Sequence, residues 1–252
     1  MMKRFLFALP LVAFLACGKD DTTGSNGGPG TDAGDTDAGG EPVTEGGSAG
    51  SQCTAARETT LKPIDKVSTG MVSIIEENGA ERLIYVDGSG GGTQNASRNP
   101  YLFLNLETGT RVDVTDKSAL ASTDWDLGIK RTIIFTNGGD GGPGVGAAAR
   151  VSKPFADVTA ADGTKTSTEK FFDADCNAIL DQAAFLTTTF SPDWYTYDEA
   201  TNGVTPVTGV TYVVVGGTGK KYKVAIESFT GKPDGSTNAP SGGYFLIRTA
   251  PL

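Results

Sequence analysis

The sequence predicts a β-rich domain, all-β or β-rich α+β, made of antiparallel hairpins in one compact unit of about 200 residues, residues 53–252, with one short helix. Three observations carry that prediction. Runs of β-branched and aromatic residues recur along the chain. They come in pairs joined by glycine-bearing turns. No strand–helix–strand rhythm of the kind that builds a parallel sheet is present.

The elements follow in order. Met71-Val72-Ser73-Ile74-Ile75 and Arg82-Leu83-Ile84-Tyr85-Val86 flank Asn78-Gly79, which supplies the positive φ of a hairpin turn. Tyr101 to Leu106 and Arg111 to Val114 alternate as half-buried strands around Glu107-Thr108-Gly109. Trp125 to Thr136 is long enough for a central strand. Ile179, Ala183 and Leu186 recur at i, i+4 and i+7 behind the capping residues Asp173 and Asp175, which predicts a helix over 175–187. Thr211 to Val215 and Lys221 to Glu227 enclose a Gly216-Gly217-Thr218-Gly219 turn, with Tyr222, Val224 and Ile226 on one face and Lys221, Lys223 and Glu227 on the other. Tyr244 to Thr249 is a closing strand beyond the turn-rich stretch from Gly231 to Gly243.

The N-terminal 52 residues are of another kind. Met1-Met2-Lys3-Arg4 and the apolar run Phe5 to Ala16 have the layout of a secretory signal, residues 1–16, and the run is too short for a spanning helix of roughly 20 residues. Phe14-Leu15-Ala16-Cys17 resembles the lipobox of bacterial lipoproteins, which implies diacylation of Cys17 and a membrane anchor. Residues 17–52 read as a tether: Gly18 to Gly50 holds eleven glycines in 33 residues and only Val43 as a large aliphatic, too little to offset chain entropy. The expected location is the cell envelope, as an outer-membrane lipoprotein exposed at the surface or facing the periplasm.

Composition excludes several chemistries. Residues 53–252 carry 18 basic and 23 acidic residues, so no basic footprint for nucleic acid is present. With no histidine, Ser-His-Asp and Cys-His systems and HExxH zinc sites are absent in their usual forms. An enzyme would have to use carboxylates, Lys or Tyr, and no such motif appears; the expectation is a binding protein, not an enzyme. With Cys17 assigned to lipid, Cys53 and Cys176 are expected to form a disulfide in an oxidising compartment, whereas a reactive Cys176 lacks a histidine partner.

Two further motifs have bland readings. Gly138 to Gly146 is glycine-rich without the Lys-Ser/Thr of a phosphate loop, and reads as a mobile surface loop. Asp173-x-Asp175-x-Asn177-x-x-x-Asp181 copies the first spacings of a calcium loop, but Ala178 stands where glycine should turn the chain and Ala184 where a glutamate should close it, so helix capping is the simpler reading.

The most distinctive segment is Asp124-Trp125-Asp126-Leu127-Gly128-Ile129-Lys130-Arg131 continuing to Thr136-Asn137-Gly138-Gly139. It resembles the HmuY-like family of haem-binding surface lipoproteins. Trp194-Tyr195-Thr196-Tyr197 and the late hairpin Tyr212 to Phe229 resemble that family in the same order, so the likeness spans roughly 60–252. The resemblance implies a compact, almost wholly β fold that clamps one haem and passes it to an outer-membrane receptor. It also implies two axial His or Met ligands, and where many relatives carry histidine this chain has Lys130, which cannot bind iron when protonated. The candidate haem-binding residues are therefore Met71, whose competing reading is a packed strand residue, and Lys130 and Arg131, which with Arg150 and Lys153 would clamp the propionates. The seven tyrosines offer a single-ligand alternative. The remaining readings are another apolar ligand, a surface interaction module without a small ligand, and a carboxylate-based hydrolase.

Overall fold

β-Branched runs become strands wherever both faces find cover. A computed structural model describes residues 53–181, 184–191 and 193–252; the expected signal, Cys17 and the tether lie outside them. The strands are β1 (Val72–Asn78), β2 (Glu81–Asp87), β3 (Leu102–Asn105), β4 (Thr110–Val112), β5 (Leu127–Lys130) and β6 (Ile133–Thr136). They continue with β7 (Ala147–Val151), β8 (Tyr195–Asp198), β9 (Gly203–Pro206), β10 (Thr211–Val215), β11 (Lys221–Ser228) and β12 (Tyr244–Pro251). A six-stranded sheet runs β1-β2-β12-β11-β10-β7, a four-stranded sheet β4-β3-β5-β6, and β8 pairs with β9. Neighbouring strands in these sheets are antiparallel. The expected β-rich antiparallel class is observed.

Period-two alternation explains where the core sits. Ile84, Val86, Val224, Phe245 and Ile247 of the larger sheet meet Leu102, Leu104, Leu127, Ile129 and Ile134 of the smaller one. The other face of the smaller sheet carries Phe103 and Phe135, joined by Trp125, against Phe171, Phe172 and Leu186. This sheet is covered on both faces, which is why β3 and β5 read as apolar runs. A smaller cluster of Leu83, Tyr85 and Leu246 lies on the outer face of the six-stranded sheet.

Three sequence expectations are corrected. Trp125 to Thr136 is not one central strand: β5 and β6 are a hairpin that reverses at Arg131-Thr132, with Lys130 opposite Ile133. The polar run Lys130-Arg131-Thr132 cannot continue through a core, and Arg131 takes the left-handed conformation (φ 54°) that the turn needs. Nor does a helix cover 175–187 in the described residues. Phe172 bridges Ala178 and Leu180 bridges Leu186, while the Asp173 carboxylate accepts the amides of Asp175 and Asn177 at 2.9 and 2.8 Å. That local bonding offers the backbone a turn instead of a helix. The helical segment lies at the start of the domain, Thr54–Ala56 followed by a π turn over Arg57–Leu61.

The third correction concerns the glycine-rich loop, whose glycines pack against neighbouring backbone while Val145 stays exposed. A Cβ at Gly138 would stand 2.0 Å from the Gly146 carbonyl oxygen, so the two backbones pass where no other side chain fits. Asn137 donates to the carbonyls of Ser122 and Trp125 at 3.0 and 2.8 Å and accepts the Gly144 amide at 3.1 Å. Beside it, buried Glu169 accepts the amide and hydroxyl of both Thr136 and Thr189. Cys53 and Cys176 are joined in a disulfide, with Cα atoms 5.4 Å apart.

Candidate functional site

β2 ends at Asp87, and the next bonds gather the candidate residues at one end of the sandwich. The Asp87 amide donates to the Met71 carbonyl at 2.8 Å, and the Gly88 carbonyl accepts the Arg131 amide at 2.7 Å. Gly88 is needed there because a Cβ would lie 2.6 Å from the Ile129 side chain. Met71, Lys130 and Arg131 are thus neighbours in the backbone of one end.

Their side chains behave differently. Lys130 turns inward, donates to the Asn99 carbonyl at 3.1 Å and sits 4.0 Å from the ring centre of Tyr101. Burial pushes its ammonium down, opposed by the charge of Asp116. Burial also pushes Asp116 up, against the pull of two accepted amides, Ile64 and Tyr101, and of Lys130. Arg131 donates to the Gly242 carbonyl and to the Thr93 hydroxyl and lies over the Phe229 ring. Met71 is 46% exposed, not the packed strand residue its type suggests. Arg150 and Lys153 do not join this group: Arg150 donates to Ser152, and Lys153 pairs with Asp162.

A second feature was not legible in the sequence. An aromatic cleft of about 450 Å³, including space open to solvent, is lined by Tyr101, Phe103, Phe135 and Phe171 beside Asp116 and Arg57. Arg57 is only 7% exposed; its guanidinium lies 5.9 Å from each of the Phe171 and Phe172 rings and donates to the Asp140 carbonyl. Burial pushes Arg57 down, with Asp140 and Glu58 opposing. The Cys53–Cys176 disulfide pins this helical turn over the rings. The adjacent Phe171-Phe172 pair was the one available signal.

Trp125, Asp126 and Asn137, which helped carry the family resemblance, are scaffold. Trp125 is fully buried and donates to the Ala119 carbonyl at 3.0 Å. Asp126 accepts the amides of Leu106 and Gly217 at 2.7 and 2.9 Å, tying the β3–β4 turn to the β10–β11 turn. Asn137 closes the glycine loop behind them. The family model described as HmuY protein matches residues 97–244, more than half of the chain. The chain belongs to the HmuY family.

No curated protein sequence matches the chain. Solved structures similar to it include a protein from Bacteroides vulgatus provisionally described as HmuY-like and haem-binding, 14% identical, TM-score 0.47, covering 71% of this chain and 97% of that one. An apo HmuY analogue from Tannerella forsythia is 16% identical, TM-score 0.42, covering 75% and 100%. A protein from Bacteroides fragilis provisionally described as a lipoprotein is 14% identical, TM-score 0.42, covering 70% and 92%.

Haem, the cargo the resemblance implied, meets a poor ligand set here. The described residues contain one thioether, Met71, and no imidazole. Buried tyrosines are held as neutral phenols: burial pushes Tyr101 and Tyr212 up, and Tyr222 up to about 12 with help from Asp126 and Glu107. Two conventional axial ligands cannot be assembled from the described residues, and no group of three His, Cys, Asp or Glu among them could hold a metal ion. The calcium-like spacing at Asp173 is spent on backbone amides.

Proposed function

We propose that this chain is a lipid-anchored envelope protein of the HmuY family that works by binding rather than catalysis, and that it takes haem with an altered ligand set. Met71 is the axial side chain in that reading, Lys130 and Arg131 flank it, and an outer-membrane receptor is the recipient. The observation that carries it is the half-exposed thioether of Met71 at the end of the sandwich where Asp87 and Gly88 draw Arg131 alongside. Thioether sulfur is an established haem ligand type. An absorbance titration of the full chain with haem, oxidised and then reduced, tests it. A saturable, shifted Soret band at one equivalent is expected; a spectrum identical to free haem contradicts it. The anchor has its own test: Cys17→Ser should move the protein out of the membrane fraction, and unchanged fractionation removes the lipid assignment.

A second reading, a surface interaction module without a small ligand, is favoured by one observation. Lys130 and Arg131 already donate to the carbonyls of Asn99 and Gly242, which leaves less of their charge for propionates. A negative haem titration supports that reading.

A further inference from the structure

The aromatic cleft lies on the face of the four-stranded sheet turned away from the larger sheet, and the haem reading makes no use of it. Alternation places Phe103 of β3 on that face, with Tyr101 two residues before it, and Phe135 of β6 beside them. Phe135 is the hub: the rings of Tyr101, Phe103 and Phe171 meet it edge to face, with centroids 5.0, 6.5 and 5.5 Å away. Rings set at 80 to 88° to one another leave angular space that a parallel stack would close. The cleft of about 450 Å³, including space open to solvent, lies among them.

Arg57 supplies the polar element. It lines the cleft and is only 7% exposed. A guanidinium carries five N–H donors. Among the described residues one acceptor meets them, the Asp140 carbonyl, which takes Nη2. The Phe171 and Phe172 rings lie against the guanidinium but accept no N–H bond of ordinary strength. The Asp140 carboxylate is engaged elsewhere, accepting the Phe171 amide at 2.7 Å and the Phe172 amide at 3.3 Å. Buried donors are nearly always paired, so the remaining N–H groups of Arg57 point to an acceptor that the described chain does not provide.

Charge decides what kind of acceptor fits. The lining itself carries one cation, Arg57, and one carboxylate, Asp116. Asp140 and Glu58 act on Arg57, and Lys130 acts on Asp116, so the neighbourhood holds two cations and three carboxylates. An entering anion would gain no net attraction there. The acceptor that suits the site is an uncharged oxygen.

We propose that this cleft binds an uncharged, single-ring aromatic carbonyl compound, its ring among Tyr101, Phe135 and Phe171 and its carbonyl oxygen accepting from Arg57. Small-molecule sites typically join an aromatic wall to a few placed polar groups, and a charged donor makes the stronger hydrogen bond. The Cys53–Cys176 disulfide holds the turn that carries Arg57, so the donor is in place before a ligand arrives. The inference is independent of the haem reading, because Met71 is not part of this lining.

Acetophenone is the probe, with ethylbenzene as the counterpart lacking an acceptor and benzoate as the charged one. Amide shifts of the ¹⁵N-labelled full chain should move saturably at Tyr101, Phe171 and Phe172 with acetophenone. Ethylbenzene should bind about tenfold more weakly, and benzoate more weakly than acetophenone. Arg57→Met should bring acetophenone down to the level of ethylbenzene, and Met71→Ala should leave its binding unchanged. The three-probe comparison on wild type needs no variant. No saturable shift with acetophenone, equal affinity for ethylbenzene, or tighter binding of benzoate would overturn the proposal.

Discussion

The two ends of the sandwich carry cations in similar number and engage them differently. At the Met71 end, Lys130 and Arg131 reach back to the carbonyls of Asn99 and Gly242 and cover the rings of Tyr101 and Phe229. What remains exposed there is a thioether. At the Thr249 end Arg82 pairs with Glu77 and Lys220 with Glu107, and among the described residues the buried Thr249 hydroxyl has no partner. The difference teaches that cations adjacent in sequence do not by themselves make a site, because the partners the fold brings to them decide how they are used. A hairpin tip surrounded by backbone carbonyls absorbs its own charges, whereas strand ends lined by side chains pair theirs with carboxylates.

The comparison can be broken or sharpened at several levels. The largest expected effect tests the frame that holds both ends. Cys176→Ser opens a link spanning 123 positions and should lower stability by about 4 kcal/mol in urea unfolding. A loss below about 1 kcal/mol would mean that Arg57 and its rings hold the first turn unaided. Next, Glu169→Ala leaves the donors of Thr136 and Thr189 buried and unpaired and should cost about 3 kcal/mol, where a solvated carboxylate would cost almost nothing.

A smaller effect distinguishes the two ends by pH. Lys130 has a folded-state pKa below its usual 10.5, so the unfolded chain holds that proton more tightly. Stability from this group is present above 10.5 and is lost as pH falls through the lowered folded value. Wild type should therefore gain on Lys130→Met as pH rises toward 10.5, and a flat difference would show Lys130 to be solvated. The smallest effect lies at the other end: Lys221→Gln should leave stability within about 0.5 kcal/mol, since it forms no ion pair among the described residues.

What was legible in the sequence is what is local. The hairpins β1–β2, β3–β4 and β10–β11 were readable because alternation and a glycine-bearing turn lie within a few residues of each other. The β5–β6 reversal was not, because Arg131 occupies a left-handed position that Gly or Asn would have advertised. The helix expected over 175–187 rested on an apolar spacing that short bridges use equally well. The loop from Gly138 to Gly146 looked like a surface segment because glycines serve mobile loops and close backbone contact alike; only the partner strand decides. Met71, Lys130 and Arg131 could be named by chemical type, but their bonding depends on Asn99 and Gly242, 31 and 111 positions from the cations they engage. The Arg82–Thr249 pairing was hidden for the same reason, since it follows from the β2–β12 register.

The central claim is that Met71 supplies one axial ligand in a chain without imidazoles. The most direct test compares the reduced-state spectrum and haem affinity of wild type with those of Met71→Ala, a change at a half-exposed position that leaves the core alone. The account predicts a saturable, shifted Soret band in wild type that reverts toward that of free haem in the variant, with affinity reduced by about tenfold. Identical spectra and affinities in the two proteins would contradict it.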